Sequence, residues 1–189
     1  MRYFRSLLLL LPIIAADIVT AQTPDYPNVG RNATAEEIQA WDSGVGPDGK
    51  GLPPGRGTAS EGAAIFTQKC IFCHGANLEG TKNGPALVGG KDTIATLHPV
   101  KTIGSFWPFA TSLWDHISRA MPLNQPGSLK PDEVYALTAF LLFRNGIIKE
   151  SDIMDSTSLP KIEMPNRNGF VPPRLEDIHR WRCSGGHCR

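Results

Sequence analysis

A chain of 189 residues, 41% of them hydrophobic, has room for one ordinary domain with extensions and for a buried core. Its formal charge of +1 makes no case for a nucleic-acid partner, which would leave a basic patch. The N-terminus has a short positive region, Arg2 and Arg5, and then an apolar run, Leu7 to Ile14, too short to span a bilayer. Asp17 closes that run, and Val19-Thr20-Ala21 offers small residues at a cleavage site before Gln22. Residues 1–21 therefore read as a secretory signal peptide, outside the fold. Removing them takes away two basic residues and one acidic one, leaving the two counts equal. No cysteine follows the apolar run, so no stable membrane anchor is expected.

Residues 22–57 read as an N-terminal extension. Residues 22–33 are polar and hold Pro24 and Pro27. Thr34-Ala35-Glu36-Glu37 is a capping box that opens a helix to about Trp41, with Ile38 and Trp41 on one face. Gly44 to Gly57 is rich in Gly and Pro and has no periodicity. It is expected to be an irregular loop laid over the folded body, not a strand, with Trp41 as its anchor. Thr58-Ala59-Ser60-Glu61 is a second capping box, starting a helix that runs into Cys70. Gly62 is a poor helix former, so its presence there predicts close approach by another helix.

Cys70-Ile71-Phe72-Cys73-His74 is the attachment signature for c-type haem. Two thiols can add across the haem vinyl groups, and His74 is then placed to reach the iron. A zinc site would need a second close ligand pair, and the remaining cysteines, Cys183 and Cys188, are at the far end of the chain. A metal-bound histidine usually donates its other ring N–H to a carbonyl, and Pro85, in Asn83-Gly84-Pro85-Ala86-Leu87, is the candidate acceptor. Gly104 to Phe109 is an aromatic cluster in which the Trp107 indole is a candidate partner for a haem propionate; the alternative is simple core. Thr111 or Ser112 is expected to cap a helix through Arg119. The last helix, about Pro131 to Arg144, has Pro at its first position, acids in its first turn, and Asn145-Gly146 as a left-handed end. Lys130 departs from good capping chemistry. After Gly146 the periodicity is lost, and sequence chemistry gives a loop or a tail.

The sixth iron ligand decides between an electron carrier and a ligand-binding haem. Met121, Met154 and Met164 are the thioether candidates. Met121 stands out because a loop of about fifty residues from His74 can wrap the far haem face, and Pro122 holds an extended backbone after it. His116 is the rival, but Asp115 and Arg119 beside it suggest a solvated face. Cys183 and Cys188 are expected to form a disulfide in an oxidising compartment.

Capped helix, Cys-x-x-Cys-His, Gly-Pro-x-Leu, Met-Pro and C-terminal helix together resemble a class I cytochrome c domain over about Thr58 to Gly146. The implied fold is mainly α: a single class I cytochrome c domain (58–146) with long irregular N- and C-terminal extensions (22–57 and 147–189). A narrower resemblance covers most of the mature chain. The stretches 30–42, 46–62, 102–129, 132–147 and 159–171 are similar to the SoxD-type cytochrome c subunits of sulfane and sulfite dehydrogenases. That resemblance implies one haem c bound through Cys70 and Cys73, with His74 and Met121 on the iron. It implies a periplasmic protein that is not an enzyme by itself. It also implies electron flow from a sulfite-oxidase-like molybdenum subunit to another redox protein. Some SoxD-type chains carry a second haem domain; this chain has a single Cys-x-x-Cys-His.

Overall fold

The computed structural model describes residues 29–172; the expected signal peptide, His179, Trp181, Cys183, His187 and Cys188 lie outside the described residues. The fold is built on one helix crossing. Helix α2 (Ala59–Lys69) packs on the last helix, α6 (Pro131–Arg144). A Cβ on Gly62 would collide with the Ala136 carbonyl, so the absent side chain is what lets the two backbones meet. Gly57 is pressed on the Ala136 backbone in the same way. One turn further on, Phe66 and Phe140 stack at 5.3 Å between ring centroids. Helix α6 buries every residue from Val134 to Leu142, which is why its sequence reads as nearly continuous apolar rather than amphipathic.

Both predicted capping boxes form, at Thr34 for helix α1 (Ala35–Trp41) and at Thr58 for α2. In α6 the cap is made without the residue at the cap position supplying it. Glu133 accepts from the Lys130 backbone N–H at 2.9 Å and from Lys69 Nζ at 2.6 Å, joining the end of α2 to the start of α6. These bonds hold the Glu133 carboxyl below the usual carboxylate range, with Lys69 the largest cause. Asn145 and Gly146 end α6 as expected, Gly146 with a φ of +68° and its N–H on the Phe143 carbonyl.

Three expectations are corrected. The stretch Gly44–Gly57 does not stay irregular throughout: Arg56–Thr58 is a strand, β1, pairing antiparallel with β2 (Ile153–Asp155), Gly57 opposite Met154. Trp41 is not an anchor. It is 88% exposed, Ile38 is 58% exposed, and α1 buries no residue. The loop after it is held instead by Val45 and Leu52 against the core, by Arg119 donating to the Ser43 carbonyl at 2.8 Å, and by the Tyr135 hydroxyl donating to the Pro53 carbonyl at 2.9 Å. Burial pushes the Tyr135 hydroxyl up to about 12, so it stays a donor. Thr111 and Ser112 do not cap the helix through Arg119. That helix, α5, spans Ala110–Ala120; Phe109 occupies the cap position with extended backbone, and Thr111 is buried on the core side.

Residues beyond Gly146 join the same core. Met154, Leu159 and Met164 are each at most 3% exposed and pack with Leu113, Trp114, Tyr135 and Leu137. Leu159 opens a single 3-10 turn, Leu159–Lys161, in a segment whose sequence shows no helical pattern.

Candidate haem site

Helix α2 ends at Cys70, whose N–H still bonds the Phe66 carbonyl at 2.9 Å. The chain then turns once more as α3 (Ile71–His74), with the Cys73 and His74 N–H groups both on the Cys70 carbonyl. One turn of backbone thus carries both thiols and the imidazole. The two cysteines are not bridged to each other. Burial pushes the Cys70 thiol up to about 11. Phe72, between them, is 78% exposed.

The turn is closed by Gly75, at a φ of +79°, and by a loop that returns to it. Leu78 is fully buried with a φ of +63°, a left-handed conformation that costs a leucine about 1–2 kcal/mol. That cost is offset by burying its side chain and by the Leu87 N–H on the Leu78 carbonyl at 2.8 Å. Gly80 donates to the His74 carbonyl at 2.8 Å, and the Thr81 hydroxyl to the Cys73 carbonyl at 2.7 Å. Thr81 and Gly84 pair as a bridge, which turns the next residue inward. The result is that the Pro85 carbonyl sits 2.8 Å from His74 Nδ1. A carbonyl only accepts, so Nδ1 carries the proton and Nε2 has its lone pair free for a metal. Asn145 ties this loop to α6, its side-chain amide donating to the carbonyls of Leu87 at 3.1 Å and Leu141 at 2.8 Å.

The second half of the site comes from residues 102–121. A four-residue helix, α4 (Ile103–Phe106), leads into Trp107, which is partly buried and tilted against the His116 ring at 5.3 Å. His116 itself is exposed, on the same helix as the Arg119–Asp115 ion pair at 2.9 Å. Met121 stands at the C-terminal end of α5 with extended backbone, φ −119° and ψ 146°, half-buried against the core. Met154 and Met164 are inside that core. Cys70, Leu87, Trp107 and Met121 therefore border one apolar cluster, from stretches separated in sequence. Two polar atoms of α5, Thr111 Oγ1 and Trp114 Nε1, are buried without a hydrogen-bond partner. Sequence reasoning passed over Trp114 and Leu78, and read Asn145 only as part of a helix end. Trp114 sits three residues before Ile117, at helical spacing, and reads as plain core.

A family model described as Cytochrome c matches residues 59–143. A chain in the crystal structure of the sulfane dehydrogenase SoxCD from Paracoccus pantotrophus is 38% identical, with a TM-score of 0.72 over 86% of this chain and 80% of that one. The protein belongs to the cytochrome c family. No curated protein matches it.

Cytochromes c bind haem covalently, and the donor set here fits that group. Two unbridged thiols and an imidazole with a free Nε2 share one turn. The orphaned indole and hydroxyl of α5 are donors of the kind a propionate would satisfy. No group of three or more His, Cys, Asp or Glu side chains suited to a metal ion occurs among the described residues. No described helix is long and apolar enough to cross a membrane.

Proposed function

We propose that this cytochrome c is a periplasmic electron-transfer subunit that takes electrons from a sulfite-oxidase-like molybdenum dehydrogenase, acting on sulfite or sulfane sulfur, and passes them to a separate redox protein. The observation that carries the reading is the extent of the likeness to the SoxCD chain. It spans 86% of this protein, so it includes much of the flanking sequence and not the 59–143 domain alone.

In this reading one haem c is held by Cys70 and Cys73, in line with the single Cys-x-x-Cys-His. When bound, it supplies a one-electron iron couple. The chain's own residues do the tuning. Pro85 fixes the His74 ring and its tautomer, so Nε2 would be offered to the iron in one orientation. Met121 would supply a thioether to the iron, a ligand that favours the reduced state and raises the potential. Trp107 would line the haem edge, and the Trp114 indole is a second candidate donor to a propionate. With two protein ligands the iron would keep no open position for a substrate, as an electron carrier requires.

The test is the partner. In native extract the protein should co-migrate with a molybdopterin-containing subunit, and adding sulfite or a sulfane donor to that complex should reduce the haem. Migration alone, with no substrate-driven reduction by any molybdenum fraction, would replace this reading with a freely diffusing shuttle.

A further inference from the structure

The segment after β2 does more than fill the core. It returns to the stretch that leads into the Met121 helix and grips it at several points. Asn166 Nδ2 donates to the Phe106 carbonyl at 2.7 Å. The Phe170 ring meets the Phe106 ring edge-on at 5.2 Å. The Arg167 guanidinium lies 5.2 Å over the Phe109 ring. Below these contacts Met164 is buried, and the Leu159–Lys161 turn packs on α5 itself. The gripped residues are the ones that set the helix. Phe106 ends α4, where a short helix leaves its last carbonyls without partners. Phe109 holds the cap position of α5 with no side-chain cap of its own. A helix started so weakly needs its entry fixed from outside.

We propose that Asn166 is a positioning residue for the distal iron ligand. By holding the Phe106 carbonyl it locks the entry to α5, and α5 then keeps Met121 at its far end on the iron. This rests on the assignment of Met121 made above. The Asn166 amide is partly buried, and local bonds, Arg167 N–H to Met164 O and Gly169 N–H to Asn166 O, both at 3.0 Å, set its direction. Without the amide, the Phe106 carbonyl loses a bond worth about a five- to tenfold change in the opening equilibrium of the segment.

Imidazole binding to the ferric, full-length holoprotein reads that opening, because imidazole must displace the thioether. It is followed by loss of the long-wavelength sulfur-to-iron charge-transfer band. Asn166→Ala and the size-matched Asn166→Asp should bind imidazole about five- to tenfold more tightly than the parent. Arg167→Ala, at an exposed side chain that the fold does not need, should show about two- to fivefold. Thr58→Ala removes a cap whose bonds run to Glu61, not to Phe106 or Phe109, and should leave imidazole affinity unchanged. Parental affinity in both Asn166 variants would overturn the proposal. So would a gain in Thr58→Ala equal to that in Asn166→Ala, since that would report general loosening. Met121→Ala separates the two levels: if it keeps the charge-transfer band, the ligand assignment itself is wrong and the proposal falls with it. If it loses the band while Asn166→Ala matches the parent, the positioning role alone fails.

Discussion

The two flanks of the cytochrome domain have opposite relations to it. The N-terminal helix α1 has a complete capping box and an Arg31–Glu37 ion pair, yet it buries nothing. The C-terminal segment has three strand residues and a single 3-10 turn, yet Met154, Leu159 and Met164 sit in the core. Regular local structure and contribution to the fold are thus separate properties. A seven-residue helix is marginal alone in water, whatever its caps, because helical stability in proteins comes mostly from packing. An irregular segment with three buried side chains is held by apolar area removed from water.

The comparison is broken most forcefully by large-to-small changes. Leu159→Ala should lower the unfolding free energy of the holoprotein by about 2–5 kcal/mol, while Trp41→Ala should stay within about 0.5 kcal/mol. Urea unfolding followed by haem absorbance measures both. Equal effects would mean that the two flanks are equivalent after all.

A finer version uses the two capping boxes, which are chemically the same. Thr58→Ala should cost about 1 kcal/mol of global stability, because α2 unfolds with the core. Thr34→Ala should melt α1 locally and leave the cooperative transition where it was.

The smallest effect is in acid. Asp155 accepts the backbone N–H groups of Ser158 and Thr157, both at 2.7 Å, which holds its carboxyl below the usual aspartate range. A carboxyl with a depressed folded pKa contributes stability above its unfolded value, about 4, and loses it as pH falls through the folded value. Asp155→Asn should therefore be slightly less stable at neutral pH and show a flatter decline below about pH 4. Glu37 is lowered in the same direction, first by Arg31 and then by the Thr34 N–H. Since α1 unfolds apart from the core, Glu37→Gln should leave the acid transition unmoved.

What was legible in the sequence was local. Cys70, Cys73 and His74 form a contiguous motif, Thr58 and Glu61 a box three residues apart, and Gly62 is an anomaly inside a helix that only a close neighbour explains. The β1–β2 pair was not legible, because its strands are three residues each and about a hundred residues apart. Trp41 misled because a large aromatic is usually taken inside, and nothing in the sequence says which aromatics find a partner. Thr111 misled in the other direction: its residue type favours a cap, and burial in the core overrode it. Leu78 carries no signal, since its left-handed backbone is imposed by the loop that brings Pro85 to His74.

The claim on which the account depends is that iron is held between His74 and Met121. The absorption spectrum of the ferric protein and of three methionine variants tests it directly. Met121→Ala should lose the sulfur-to-iron charge-transfer band and gain carbon monoxide binding when reduced, while conservative Met154→Leu and Met164→Leu keep the band. Loss of the band in either core variant, with Met121→Ala unchanged, would contradict it.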